Sequence, residues 1–146
     1  MTVPPDDPQT IAQRSADAMW ANDRASQQLG MTIIAVSPGE AVLAMTITDT
    51  MVNGYGIAHG GFIFTLADST FAFACNSYNA QTVAAGCSIE FLKPVREGDV
   101  LTCEGIEQTL SGRHGIYDMK VHNQHGEVVA MFRGKSAQIQ GTVFPE

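Results

Sequence analysis

The segment from His59 to Cys75 constrains this chain most, because it is apolar almost throughout and contains no proline. It reads as one helix that is apolar around almost its whole circumference, and such a helix is normally buried on most sides. Two features do not fit a plain core helix. Gly60 and Gly61 stand at its start, where serine, threonine or aspartate would cap better. Asp68 places one carboxylate in the middle of the apolar run.

Asp68 is the strongest candidate for chemistry in the sequence. Phe64 and Phe71 lie one helical turn away from it, where an exposed face would carry lysine, glutamate or glutamine. Aspartate is also a poor residue for a helix interior, and carboxylates are seldom buried without a partner. The alternative is a solvated aspartate on a narrow polar stripe made with Thr65 and Ser69. We favour a carboxylate held there for chemistry.

The length of 146 residues fits one structural domain with enough chain for a core. Within it we expect a helical lead-in over residues 1–30 and the main domain over residues 31–140. The formal net charge of −7 argues against a nucleic-acid partner, since phosphate contacts need a basic surface. Of the eight basic residues, only Arg14 and Arg24 precede position 90. A small basic cluster for a phosphorylated ligand therefore fits the remainder of the chain.

The cysteines and the terminal residues indicate a cellular compartment. Cys75, Cys87 and Cys103 form no Cys-x-x-Cys pair, and an odd number inside apolar segments predicts reduced, buried thiols of a cytoplasmic protein. The first residues show no basic segment followed by an apolar stretch, so we expect no secretory signal. No apolar span approaches the ~20 residues of a transmembrane helix, so we expect no membrane partner.

The remaining pattern predicts helices first and strands afterwards. Asp7-Pro8 indicates a helix start, and Asn22 is expected to cap a second short turn that stops at Gly30. Period-two alternation and short turns then predict antiparallel strands over residues 32–36, 41–48, 82–92, 100–110, 115–123 and 128–139. An antiparallel sheet of about six strands wrapped around one long helix satisfies this order, which is an α+β architecture.

That arrangement is the hotdog fold, and specific motifs support it. The run of residues 53–61, Asn-Gly-Tyr-Gly-Ile-Ala-His-Gly-Gly, followed by Leu-Ala-Asp at 66–68, resembles the phenylacetic acid degradation thioesterases. Residues 90–94, Glu-Phe-Leu-Lys-Pro, and 132–136, Phe-Arg-Gly-Lys-Ser, are also similar to that family. The resemblance covers nearly the whole chain. It implies hydrolysis of acyl-CoA thioesters, aryl-acyl groups such as phenylacetyl among them, by dimers or paired dimers without a metal.

The resemblance also implies roles for individual residues. The Gly60 N–H is the expected oxyanion donor, since a helix N-terminus offers unpaired N–H groups and partial positive charge. Asn53 is expected to fix the attacking water or the thioester group, and His59 to shape the helix entrance. Asp68 would activate water as a general base or attack directly, and both routes stay open. The expected substrate-binding residues are Gly61, Tyr55, Phe62, Lys93, Arg133 and Lys135. Coenzyme A enters only as part of substrate and product, with no other cofactor.

Each of these residues also has a plainer interpretation. His59 is alternatively a capping or packing histidine, Tyr55 and Phe62 are alternatively ordinary core residues, and Arg133 and Lys135 are alternatively solvated strand residues. Gly54-x-Gly56 resembles the start of a dinucleotide fingerprint, but no parallel βαβ unit follows. His122 and His125 fit a hairpin turn better than a metal site.

Two rival functions remain on the same fold. One is an enoyl-CoA hydratase, for which a second acid–base group beside Asp68 is missing. The other is a non-catalytic acyl-CoA-binding sensor. A sensor acting on DNA would need a basic recognition helix, and the N-terminal segment is acidic. The acyl group and the choice between dimer and tetramer are left open by the sequence.

Overall fold

The computed structural model describes residues 5–146, and its long helix lies inside a curled sheet. The elements are α1 (Pro8–Asn22), α2 (Arg24–Gln28), β1 (Thr32–Ser37), β2 (Glu40–Thr46), a short 3₁₀ turn (Asp49–Met51), α3 (Gly60–Cys75), β3 (Thr82–Phe91), β4 (Val100–Ser111), β5 (His114–His122) and β6 (Val128–Gln138). The predicted strands and central helix are confirmed to within two residues at each end. No helix within residues 5–146 combines the length and apolar character needed to cross a bilayer.

The N-terminal helices begin at aspartates. Asp7 caps α1, where its carboxylate accepts a hydrogen bond from the Thr10 N–H at 2.7 Å. The sequence prediction for α2 was wrong by one residue. Asp23 caps it by accepting from the Ser26 N–H at 3.0 Å, whereas Asn22 is still the last residue of α1. Aspartate and asparagine cap helices equally well, so residue type alone could not choose between these neighbours.

The six strands form one antiparallel sheet in the order β1-β2-β4-β5-β6-β3. Helix α3 contacts all six strands, so the sheet curls around it. The core between them is dense with large side chains, among them Leu43, Leu66, Phe71, Met119 and Phe132. The predicted six-stranded sheet around one helix is therefore confirmed.

The order of strands leaves β1 and β3 at the two edges. Helix α1 lies along β1, where the Gln9 side-chain amide donates to the Val36 carbonyl at 2.8 Å. Residues 83–88 of β3 are exposed, and no strand within residues 5–146 pairs with their outer edge. Cys75 and Cys103 are buried as predicted, but the prediction for Cys87 was wrong: it lies on this open edge and is exposed. An uncovered edge strand offers unpaired backbone groups to another chain.

Candidate active site

The first turn of α3 presents its amides without a side-chain cap. His59 occupies the N-cap position in extended conformation (φ −64°, ψ 134°), and its side chain makes no capping hydrogen bond. Its backbone N–H donates to Met51 at 2.9 Å, which fixes the chain entering the helix. The alternative that the His59 side chain caps α3 is therefore wrong. Gly60 follows as the first helical residue and is half-buried.

Gly60 has no room for a side chain because the ring of Phe91 lies against it. A Cβ built at position 60 would stand 2.8 Å from the Phe91 Cζ atom. Phe91 is the last residue of β3 and is itself 51% exposed. Around this contact lies an apolar cavity of about 460 Å³, lined by Ile57, Ala58, Gly60, Ile63, Phe91, Leu92, Lys93, Pro94 and Val95. The bare backbone at Gly60 therefore opens onto an apolar pocket of the size that ligands occupy.

Asp68 lies on the one face of α3 that the sheet does not cover. Along that face Gly61 is exposed, while Thr65 and Asp68 are half-buried. The predicted polar stripe is present, but its hydroxyls are engaged. Thr65 donates to the Gly61 carbonyl at 2.8 Å, and the Ser69 hydroxyl pairs with that of Ser26 at 2.9 Å.

The Asp68 carboxylate, by contrast, has no hydrogen-bond donor or cation beside it within residues 5–146. Burial raises the pKa of the Asp68 carboxyl above its usual value, because it disfavours the charged form. A half-buried, unpaired carboxylate is a stronger base than an exposed one and is a candidate for proton transfer or nucleophilic attack.

The loop before α3 is folded by Asn53. Its Oδ1 atom accepts from the backbone N–H groups of Tyr55 at 2.9 Å and Ile57 at 3.1 Å. Among residues 5–146 the side-chain NH₂ of Asn53 has no acceptor, and the residue is exposed. Tyr55 lies in the same loop and is 87% exposed, so its side chain is open to solvent in the single chain. Phe62 is half-buried and packs against the core.

The three predicted basic residues differ in their partners. Lys93 pairs with Glu127, and Arg133 forms a two-pronged pair with Asp118 through Nε and Nη2, both at 2.7 Å. Lys135 is exposed on β6 and has no carboxylate within 4.0 Å among the described residues. It is therefore the one of the three whose charge is free for a phosphate.

The histidines near the β5–β6 turn belong to a hairpin. The Asn123 Oδ1 atom accepts from the His125 N–H at 3.0 Å, and Gly126 takes a left-handed conformation (φ 76°) that closes the turn. Over residues 5–146 no group of three or more histidine, cysteine, aspartate or glutamate side chains is placed to hold a metal ion.

One chain alone does not bring the predicted catalytic groups together. Gly60 and Asp68 are eight residues apart on the unbroken α3, which is about 12 Å along the axis. Two neighbours of these residues were missed by sequence reasoning. Phe91 lies over Gly60, and Cys87 lies near Asp68, where burial and the Asp68 charge together raise the pKa of the Cys87 thiol. Both come from β3, which runs beside the helix, and only the placement of that strand could have indicated them.

The sequence of this chain is similar to those of known thioesterases. A family model described as the thioesterase superfamily matches residues 55–130. The chain is 44% identical over 135 residues to the acyl-coenzyme A thioesterase PaaI of Escherichia coli K12, which is 92% of this chain and 96% of that protein.

The fold of this chain is likewise similar to those of solved structures. That of the E. coli PaaI protein from the phenylacetic acid degradation operon matches with a TM-score of 0.91 at 43% identity, over 93% of this chain and 99% of that one. A hypothetical thioesterase of Streptococcus pneumoniae TIGR4 solved with coenzyme A matches with a TM-score of 0.77 at 27% identity, over 87% and 97% of the two chains. The hotdog fold and the predicted resemblance are confirmed, and the chain belongs to the thioesterase superfamily and, within it, to the family of PaaI.

Proposed function

We propose that this protein hydrolyses acyl-CoA thioesters to the free acid and coenzyme A, with Asp68 and the Gly60 N–H as its catalytic groups. The observation that carries the proposal is the Asp68 carboxylate, which is half-buried and has no hydrogen-bond or ion-pair partner within residues 5–146. It lies on a helix whose first turn lacks a side-chain cap. Membership of the thioesterase superfamily supports the reaction class.

The Gly60 N–H would bind the thioester carbonyl oxygen as it becomes an oxyanion. The first amides of a helix have no intrahelical partner and carry a partial positive charge of about half a unit. A glycine there lets the substrate approach the backbone closely. His59 shapes the chain at this entrance, and the Asn53 side-chain NH₂, which has no acceptor among the described residues, would donate to the attacking water or the thioester.

Asp68 would act on the acyl carbon in one of two ways. As a general base it takes a proton from water while the water oxygen bonds to the carbonyl carbon. The tetrahedral oxyanion then collapses, the C–S bond breaks, and the coenzyme A thiolate leaves and is protonated. As a nucleophile Asp68 bonds to the carbon itself, releases coenzyme A as an acyl–enzyme anhydride forms, and is freed by water. The raised pKa of the carboxyl suits the first route.

We propose that the site is shared between two copies of this chain. A reacting carbonyl must lie about 3 Å from its donor and within about 3.5 Å of its attacker, which groups 12 Å apart on one helix cannot provide. Cys87 on the open edge of β3 lies near Asp68 on the uncovered face of α3, and these are the surfaces that a second copy would cover. A two-fold axis there gives two equivalent sites, each with Gly60 from one subunit and Asp68 from its partner. We expect a homodimer, with a homotetramer formed from paired dimers.

The substrate is proposed to be an aryl-acyl-CoA such as phenylacetyl-CoA. The E. coli relative comes from the phenylacetic acid degradation operon, and a neighbouring structure holds coenzyme A. The acyl group would be contacted by Gly61, Tyr55 and Phe62. The coenzyme A phosphates would be contacted by Lys93, Arg133 and Lys135. Of these, Lys135 is the one that forms no ion pair among the described residues.

The reaction is proposed to need no metal and no cofactor beyond the coenzyme A of the substrate, in a cytoplasmic protein without nucleic-acid or membrane partners. The chemistry above uses only a carboxylate and a backbone amide. A chelator added to the assay should leave the rate unchanged, and a metal-dependent rate would contradict this part of the proposal.

The direct experiment is thiol release from a panel of acyl-CoA esters that includes phenylacetyl-CoA, straight-chain acyl-CoAs and crotonyl-CoA. We expect free thiol from aryl-acyl-CoA, at a rate that Asp68→Asn abolishes. Hydration of crotonyl-CoA without thiol release would indicate a hydratase instead. Retention of acyl-CoA with neither reaction would indicate a sensor.

A further inference from the structure

A second cavity lies at the opposite end of α3 from Gly60. We call it the distal cavity; its volume is about 170 Å³, and its walls come from the end of α3, the β4–β5 hairpin and the adjoining ends of β3 and β6. Cys75, which lines it, is the last residue of α3 and is about 22 Å along the axis from Gly60. The distal cavity is therefore separate from the apolar pocket at the start of the helix. It is also smaller than the ~300–1,000 Å³ typical of drug-sized ligand sites, so its ligand must be small.

One wall of the distal cavity holds a buried hydroxyl that lacks a good partner. Ser136 is 2% exposed, and within residues 5–146 its Oγ atom has one hydrogen-bond partner, the Gly115 carbonyl, at 3.5 Å. Hydroxyl hydrogen bonds are typically ~2.5–3.0 Å long, so this contact is weak. A buried hydroxyl with only a weak partner gains from a better one, and this hydroxyl lines a cavity that a ligand atom can enter.

Arg113 lines the distal cavity, and its guanidinium forms no ion pair within residues 5–146. The Arg113 Nε atom donates to the Gln138 carbonyl at 3.1 Å, which orients the guanidinium. No carboxylate of residues 5–146 lies within 4.0 Å of it. Beside it, the His114 Nδ1 atom lies 3.1 Å from the Ser136 carbonyl, which can only accept, so the Nδ1–H group donates to it.

Part of the remaining lining is apolar, and the carboxylate of Glu107 behind it is engaged. Leu110 and the ring of Tyr117 supply apolar surface. The hydroxyls of Tyr78 and Tyr117 both donate to Glu107 Oε1, at 2.7 and 3.0 Å. Those phenol protons are therefore turned away from a ligand, and the Thr82 hydroxyl likewise donates to the Ala80 carbonyl at 2.8 Å. Arg113 and Ser136 are the lining donors that a negatively charged ligand would use.

From these contacts we propose that the distal cavity binds a small organic carboxylic acid in its ionised form. Its carboxylate would accept from the Arg113 guanidinium and the Ser136 hydroxyl, because arginine pairs with planar carboxylates through two N–H groups. Its aromatic or aliphatic body would lie against Leu110 and Tyr117. An inorganic anion would leave that apolar surface unfilled, so we expect the organic acid to bind more tightly than phosphate.

Calorimetric titration of the intact protein tests this proposal without requiring turnover, so it is independent of whether thioesters are hydrolysed. The probes are phenylacetate, hexanoate, neutral phenylacetamide and inorganic phosphate. We expect at least one acid to bind at least about tenfold more tightly than the amide and the phosphate. Arg113→Gln should weaken that acid at least about tenfold and Ser136→Ala at least about threefold, both with unchanged melting temperatures.

Arg24→Gln is the matched control, because Arg24 is an exposed arginine on α2 that also has no carboxylate within 4.0 Å among residues 5–146. It should change the affinity by less than about twofold. The proposal is overturned if neither acid binds below about 10 mM, if folded Arg113→Gln binds the acid as well as the wild type, or if saturating coenzyme A abolishes acid binding, which would place the acid in the thioester site.

Discussion

Gly60 and Asp68 lie eight residues apart on one unbroken helix, so their separation along the axis is fixed at about 12 Å. Gly60 stands in the first turn beneath the Phe91 ring, and Asp68 lies two turns further along on the uncovered face. Helix α3 is continuous between these two residues, so no break in it shortens this distance. A mechanism that uses both groups on one carbonyl therefore requires a second copy of the chain.

Asp68→Asn keeps the volume of the side chain and removes its charge. Because the carboxylate would be the base or the nucleophile, we expect kcat/KM for an aryl-acyl-CoA to fall by at least about a hundredfold. Asp17→Asn is the matched control, since Asp17 lies on the exposed side of α1 and bonds only to Gln13. It should hydrolyse normally, and an Asp68→Asn variant with near-normal turnover would remove Asp68 from the mechanism.

The same substitution should change how stability depends on pH. Folding raises the pKa of Asp68, so the folded chain holds that proton more tightly than the unfolded chain does. The resulting stabilisation is complete below the ordinary carboxyl pKa of 3.8 and is lost as pH rises through the higher folded value. The Asp68→Asn side chain does not ionise, so the variant avoids this loss. It should therefore melt at a higher temperature than the wild type at neutral pH, and the two proteins should melt at similar temperatures in acid. A difference independent of pH would contradict the burial argument.

Gly60 and Gly61 form a matched pair for the contact with Phe91. Alanine is favoured over glycine in helices by up to about 1 kcal/mol, and a Cβ at position 61 meets nothing within 4 Å. Gly61→Ala should therefore raise the free energy of unfolding, whereas Gly60→Ala meets the Phe91 ring at 2.8 Å and should not. In a double-mutant cycle of urea unfolding, Gly60→Ala should raise the free energy of unfolding when Phe91→Ala is already present. Equal effects of the two alanines would show that the ring gives way freely.

Lys135 and Arg133 test which basic residues contact coenzyme A. Asp118 holds the Arg133 guanidinium through two bonds of 2.7 Å, while Lys135 has no such partner among the described residues. Lys135→Gln should thus raise KM for acyl-CoA more than Arg133→Gln does, and the difference should shrink at high salt. The same acyl group on a short thiol should show neither effect. A larger effect of Arg133→Gln would mean that substrate displaces Asp118.

The sequence predicted the elements well because their signals are local. The apolar run of α3, the alternation in β5 and the turn residues between strands each act within a few positions. The choice of Asp23 over Asn22 as a cap was not predictable, since both residue types cap well.

The surroundings of the site depend on tertiary placement. Phe91 meets Gly60 and Cys87 lies near Asp68 only because β3 runs beside α3 at the edge of the sheet. The partners of Lys93 and Arg133 likewise come from residues brought close by strand pairing. Residue type identified Asp68 and Gly60 as candidates, but their separation on the helix is what points to two subunits.

Mixed dimers test the shared site most directly. Asp68→Ala removes the carboxylate, and Gly60→Pro deletes the donor N–H at the first helical position, where proline breaks no helical hydrogen bond. The Gly60→Pro chain also carries Phe91→Ala, because a Cβ at position 60 would meet the Phe91 ring. Each variant alone should be inactive. When the two are unfolded and refolded together, each mixed dimer should carry one site with both lesions and one site with neither. Random pairing should then restore thiol release to about a quarter of the wild-type sites. Inactive mixed dimers, with both parents folded and pairing verified, would contradict the account.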